Sequence, residues 1–352
     1  MSHKSNRLII NSGASSITAA SISVEGTQLR INKVYSEDLQ YDYSSESAWL
    51  DATTEALKSL TARHKLSGAA TVIIPGDQLL TKTIRIPQVA EQKRKQIIAF
   101  EAQQSIPSAW DEVVWDSQVV GDDGIETEVL FIACKADTIY GLCDGISASG
   151  LQVEAASAAT ILDYNSLQYT EDELNQELLS VNIGARSTNI LFANANGFFA
   201  RNIALGGNTL TQSIADGLGI NFSQAEALKL KLFESECAEA DDATTKLLKD
   251  CSDAFVQRMR QEITRSIVNY RRQKNAPAPS TILLSGGASQ LPSLGKQLEA
   301  MQQMSVRYYE PLKSVDMSPE AAKNVEDFVP QVSEIIGEAA SAIIAKPAAV
   351  NL

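Results

Sequence analysis

The sequence predicts an α/β protein made of two related halves, with a small α+β unit inserted within the first. Three observations carry that reading. Residues 8–26 overlay residues 179–197 without a gap, a further glycine-rich turn ends an apolar run at Ser285, and the stretch between the halves reads as a helix and strands of its own. A chain of 352 residues has room for two or three folded units at roughly 100 to 200 residues each.

In the overlay, Leu8, Asn11, Gly13, Ala14, Ser16 and Gly26 coincide with Leu179, Asn182, Gly184, Ala185, Ser187 and Gly197. Each copy reads as a strand, a tight turn of small and hydroxyl residues, a second strand and a glycine turn, which is a hairpin with a special tip. Glycine at both tips suits a backbone that takes positive φ or lets a ligand approach its amides. The third element follows the helical stretch 255–274: the apolar run at 281–284 ends in Ser285, Gly286 and Gly287 and passes into a helix. In an α/β protein such a turn lies at the carboxyl end of a strand, where ligands bind.

Composition narrows the function classes. Apolar residues make up 44% and charged residues 21%, the balance of an ordinary globular protein. The net charge of −13 repels a polyphosphate backbone, so no nucleic-acid partner is expected. Cys134, Cys143, Cys237 and Cys251 show no metal-binding spacing, and His3 and His64 are the only histidines, so neither a metal site nor a catalytic residue is assigned. His64, in a polar segment, is expected in solvent. The polar N-terminus is not a signal peptide, and no run approaches 18 apolar residues. These features lead us to expect a cytoplasmic protein that meets a membrane only through a partner.

Two phosphate hairpins followed by Ser285-Gly286-Gly287-Ala288 resemble the phosphate and adenosine motifs of the actin superfamily. Arg201 to Asn208, with Gly206 and Gly207, and Ala225 to Lys229, with Glu226 and Lys229, resemble further segments of the PilM-like type IV pilus assembly proteins, relatives of FtsA. So do Thr83 to Pro87 and Phe100 to Pro107, which resemble the opening of that family's inserted subdomain. The resemblance implies duplicated actin-like (ribonuclease H-like) lobes. Its implied nucleotide site holds Asn11, Gly13, Ser15, Ser16, Asn182, Gly184, Ser187, Thr188, Gly206, Gly207, Glu226, Lys229, Gly286 and Gly287, with Glu226 and Lys229 at the ribose. The long helix, with Met259, Ile263, Ile267 and Tyr270 on one face, implies a place for Glu262 and Arg265 near the adenine.

On this basis we expect a first lobe over 1–87, an interaction insertion over 88–150 and a connecting helix region over 151–178. The second lobe covers 179–329, with a helical subdomain at 223–274, and residues 330–352 return to the first lobe. The insertion helix should bury Ile97, Ile98 and Phe100. The small-residue helix near residue 335 should cross the connecting helix. The resemblance also implies an adaptor that binds the N-terminal tail of a PilN-like inner-membrane protein in a groove near residues 85–104, with self-association open. An active actin-like ATPase or an FtsA-like division filament is the alternative. Relatives carry aspartate where this chain has Asn11 and Asn182, which implies poorly held Mg²⁺, weak or absent ATP or ADP, and negligible hydrolysis. Val350-Asn351-Leu352 resembles the opening of the PilN tail and is expected to be mobile or to dock in a neighbouring molecule.

Overall fold

The computed structural model describes residues 5–352 apart from 42, 44, 107–108, 172–173, 175–176, 235–242, 303 and 326–331. The chain forms two compact units, one comprising Met1–Leu174, Ala195–Ala200 and Glu310–Leu352, the other Asn175–Asn194 and Arg201–Tyr309. His3 and Cys237 lie outside the described residues.

The first unit runs through β1 (Ser5–Ser12), β2 (Ser16–Glu25), β3 (Gln28–Asp38), α1 (Glu46–His64), β4 (Ala69–Ile74), β5 (Leu79–Pro87), α2 (Glu91–Ser105), β6 (Val113–Asp122), β7 (Glu126–Lys135), α3 (Ala136–Ala148), β8 (Gln152–Ala158) and α4 (Ala159–Thr170). β1, β2 and β4 bury Ile9 and Ile10, Ala19 and Ala20, and Val72, Ile73 and Ile74, neighbours in sequence that lie on opposite faces, as in a sheet covered by helices. Ser45 caps α1 by accepting from the Ala48 amide, and Lys65 ends it in the left-handed conformation. Among the described residues no helix is long and apolar enough to cross a membrane.

The second unit holds β9 (Leu178–Ile183), β10 (Thr188–Asn194), α5 (Gly207–Leu218), α6 (Phe222–Glu234), α7 (Ala243–Lys274), β12 (Thr281–Ser285), α8 (Pro292–Gln302) and β13 (Ser305–Tyr308), with β11 (Gly197–Ile203) between β10 and α5. Met259, Ile263, Ile267 and Tyr270 of α7 are buried, as their spacing requires. The chain then adds β14 (Asp316–Met317) and α9 (Val332–Ala340) to the first unit.

The duplication is visible in the sheets. One is ordered β14-β3-β2-β1-β4-β8 and the other β11-β10-β9-β12-β13, so five strands follow the same path twice. Register agrees as well: Asn11 faces Thr18 across one hairpin, and Asn182 faces Asn189 across the other. The closing glycines of the repeat, Gly26 and Gly197, have positive φ; the tip glycines Gly13 and Gly184 do not. At Gly184 the need is space, since a Cβ would stand 3.2 Å from the Ser187 carbonyl oxygen.

Several boundaries differ from the expected ones. β5 pairs with β7, not with the first-lobe sheet, so the three-stranded insertion sheet β5-β7-β6 starts at Leu79 rather than at residue 88. At the other end α3 leaves the insertion: Gly141 and Gly145 face Leu50 and Thr54 of α1. Residues 152–158 are strand rather than helix, because β8 pairs with β4 in parallel. The return to the first unit comes at Glu310, where β14 pairs with Arg30 and Ile31, instead of at residue 330.

Within the insertion, α2 buries Ile98 and Ala102 against Ile84, Ile86, Val129 and Phe131. Phe100 is 59% exposed, since two residues beyond Ile98 a helix has turned to its opposite side. The turn after β6 forms as expected, with Asp122 and Asp123 accepting from the amides of Gly124, Ile125 and Glu126. The expected helix crossing is also present. A Cβ on Gly337 of α9 would stand 2.0 Å from the Leu162 carbonyl oxygen of α4.

Candidate functional site

The residues implied by the nucleotide motifs fall into two groups, one in each unit. In the first, Asn11, next to last in β1, is fully buried, and its Nδ2 donates to Oε2 of Glu334 at 2.6 Å. Its Oδ1 has no partner. Glu334 lies half-buried on α9, and desolvation, then the nearby Asp163, push its carboxyl up to about 7 against the pull of the Asn11 hydrogen bond. Asp163 in turn accepts from the Ser333 hydroxyl at 2.6 Å. Sequence reading missed Glu334 and Asp163. A carboxylate on each of two small-residue, apolar helices was the available signal.

The tip of that hairpin is anchored by its carbonyls. Gly13, Ala14 and Ser15 accept from Trp49 Nε1, the Tyr41 hydroxyl and the Leu39 amide at 3.1, 2.5 and 2.8 Å. Gly13 and Ser15 therefore sit on a fixed turn that leads into Ser16 at the start of β2.

The second group is assembled by close backbone contact. The amides of Gly207 and Asn208, opening α5, donate to the carbonyls of Gly184 and Ala185 at 2.9 and 2.8 Å. A Cβ on Gly206 would stand 2.5 Å from the Ala185 oxygen, so only glycine lets this turn rest on the hairpin. Gly286, at φ +83°, brings the β12 turn against the other side, where a Cβ would stand 2.4 Å from the Ile183 oxygen and 2.5 Å from Asn182 Oδ1. Gly287 begins the short helical turn that follows. Some groups expected to face phosphate are engaged within the protein: the Gly184 amide donates to the Ser187 carbonyl at 2.9 Å, and the Thr188 hydroxyl donates to the Leu205 carbonyl at 2.6 Å.

Glu226 and Lys229 join this group on α6. Their ion pair measures 2.8 Å, Thr211 donates to Glu226 at 2.5 Å, and Lys229 Nζ lies 3.2 Å from where a Gly207 Cβ would stand. Burial pulls the Lys229 ammonium below the usual lysine range, and Glu226 opposes the shift. Glu262 is paired with Arg265 at 2.6 Å and with Arg201 at 3.7 Å. His64 stacks on Tyr35 with centroids 3.6 Å apart, so it is not the solvated side chain expected.

A second feature lies wholly in the first unit. β8 is the edge of the six-stranded sheet and β6 the edge of the insertion sheet. Residues 346–352 run extended along both. Asn351 bridges Ser157 antiparallel, the Leu352 amide donates to the Ala156 carbonyl at 2.9 Å, and Asn351 Oδ1 accepts from the Ala156 amide at 3.0 Å. From β6, Gln118 grips the segment twice, donating to the Pro347 carbonyl and accepting from the Ala349 amide, and Asp116 accepts from the Asn351 amide. Asn165 does the same at Ala348, with bonds of 2.9 and 2.7 Å. The end of the sequence, expected to be mobile or docked in a neighbour, is thus seated on its own chain.

The family model described as type IV pilus assembly protein PilM matches residues 10–337. A search of curated proteins finds no match. Among solved structures, the chain is similar to one titled as the PilM-PilN type IV pilus biogenesis complex, with 18% identity over 97% of this chain and 99% of that one and a TM-score of 0.81. It is also similar to the ethanolamine utilization protein EutJ from Carboxydothermus hydrogenoformans, at 12% identity over 97% and 90% of the two chains, with a TM-score of 0.53. The twice-repeated five-strand sheet is the actin-like fold, and with the family match spanning nearly all of the sequence, the chain belongs to the PilM family of type IV pilus assembly proteins.

Proposed function

We propose that this chain is an assembly adaptor that holds the N-terminal cytoplasmic tail of a PilN-like inner-membrane protein as an extended strand, and so works on the cytoplasmic side of that membrane without entering it. The observation that carries the reading is the seam between β8 and β6. Two sheet edges and the amides of Gln118 and Asn165 there read the main chain of an extended segment, which is recognition by strand addition. The solved PilM-PilN complex supplies the class of partner. This seat is built from β6, β8 and α4, whereas sequence alone suggested residues 85–104.

Nucleotide has a secondary place in this reading. The turns at Gly206, Gly207 and Gly286 close on the second hairpin as a backbone cradle, and with Lys229 they suit a nucleoside phosphate. Amides at positions 11 and 182 fit Mg²⁺ poorly, because that ion favours anionic oxygen ligands. The site is therefore degenerate: ATP or ADP binds weakly and hydrolysis is negligible. A labelled synthetic N-terminal peptide of a PilN-like protein tests the adaptor reading by fluorescence polarisation. In a chain ending at Ala345, where residues 346–352 do not compete for Gln118, binding should saturate and weaken at least about tenfold in Gln118→Ala, which removes two backbone contacts of about 1 kcal/mol each. Pelleting with bare vesicles in the absence of that peptide would favour the filament alternative.

A further inference from the structure

The segment that fills the seam is held in a way that distinguishes it from a permanent strand. Its pairing with β8 is one isolated bridge at Ser157, and the Ala156 amide is satisfied by the side chain of Asn351 instead of a main-chain carbonyl. Only Ala348 and Val350 are buried, and both are small. Ala349 and Asn351 are exposed, as are their bonds to Gln118 and Asp116. The seat, in contrast, is built: Asn165 is fully buried, yet both ends of its amide are turned to the backbone of Ala348. β8 has seven residues, so a peptide that paired with its main chain in regular register would gain ladder bonds that the resident segment forgoes.

We infer that residues 346–352 are a detachable strand that closes this seat in cis, so that an extended peptide enters only by displacing it. What enters rests on the adaptor reading; the closure itself rests on the geometry above. The peptide that competes best is one that repeats the segment's chemistry, with an apolar residue in the Val350 position and an asparagine after it. Tethering keeps the resident strand at high effective concentration, so the apparent affinity of any incoming peptide is reduced by the closed-to-open ratio. An exposed sheet edge is also an aggregation risk, and cis closure covers it until a partner arrives.

The test uses the full chain, its Val350→Asp variant, which sets a charge in the buried position, and a chain ending at Ala345. Two labelled probes are titrated into each: a synthetic peptide of residues 345–352 and the N-terminal peptide of the PilN-like protein. The expected result is that the 345–352 peptide binds the variant and the shortened chain at least about tenfold tighter than the full chain. A thermal melt confirms that each is folded, and Val350→Asp preserves the test if the shortened chain is not. Equal affinity for all three chains, or no binding of the 345–352 peptide to any, overturns the inference. So does a PilN-like peptide that binds all three equally and is not displaced by the 345–352 peptide, though the adaptor reading then survives at another surface. If the 345–352 peptide shows the tenfold gain but the PilN-like peptide binds nowhere, cis closure stands and the adaptor reading falls.

Discussion

Asn11 donates a 2.6 Å hydrogen bond to Glu334, so the asparagine near the end of β1 is the partner of a carboxyl group whose protonation lies near neutrality. An aspartate at this position would replace the donor with a second acid at the same distance, on a glutamate already raised by burial and by Asp163. Asn11→Asp should therefore destabilise the protein by about 2 kcal/mol at pH 8 and by less at pH 6, where the pair can share a proton. Adding Glu334→Gln should restore most of the loss. Urea denaturation at the two pH values measures this, and an equal loss at both, or no recovery in the double variant, counts against the account.

The same pair sets a pH dependence. The Glu334 carboxyl titrates at about 7 in the folded protein against 4.5 when unperturbed. Between those values the folded state holds more protons than the unfolded one, so this group's contribution to stability falls as pH rises from about 4.5 to about 7, by about 3 kcal/mol. Burial also raises Glu338, which adds a slope of the same sign. Glu334→Gln should flatten the pH profile of the urea midpoint in that window without abolishing it. A wild-type profile that climbs with pH across the whole window contradicts the assignment.

Much of this was readable from residues, and the failures have physical reasons. The duplication was legible because a hairpin tip is specified locally: an asparagine, a glycine and a hydroxyl residue at fixed spacing recur wherever the same turn is needed. The face of α7 was legible because Met259, Ile263, Ile267 and Tyr270 repeat at helical spacing. Strand partners were not. Nothing in Leu79–Pro87 says whether it joins β4's sheet or pairs with β7, because both choices bury the same alternate side chains. Glu334 was overlooked for a related reason, since its relation to Asn11 spans 323 residues and only the packing of α9 against β1 creates it. The seat of residues 346–352 is likewise a meeting of two sheet edges that no local pattern encodes.

Close approach gives a sharper stability test. Gly337→Ala would place a methyl group 2.0 Å from a backbone oxygen of α4, and two buried helices would have to separate. A loss of about 3 kcal/mol or more is expected, or no soluble protein. Gly26→Ala is the control: its φ of +67° is unfavourable for alanine, but nothing lies within 4 Å, so about 1 kcal/mol suffices. Thermal melts of the two variants should separate clearly, and similar losses would mean that the crossing is looser than described.

The remaining expectation concerns catalysis, where the two asparagines are not equivalent. Asn182 stands against the backbone of Gly286, whereas Asn11 stands against Glu334. Phosphoryl transfer relies on metal and positioned charge to stabilise the transferring group, so replacing both carboxylates by amides should slow it roughly a thousandfold or more. Purified protein should show no metal-dependent ATP turnover near about one per second. A rate of that size, abolished by Asn11→Ala, would sink the degenerate-site reading. Restoring the charges should be asymmetric: Asn182→Asp alone should strengthen Mg²⁺-ATP binding measured by calorimetry, while Asn11→Asp should help only together with Glu334→Gln, because otherwise the new carboxylate competes with Glu334 for a proton instead of presenting charge to the metal. If the triple variant binds Mg²⁺-ATP no better than the parent, the missing carboxylates are not what weakens the site, and the engaged Gly184 amide and Thr188 hydroxyl become the explanation to examine.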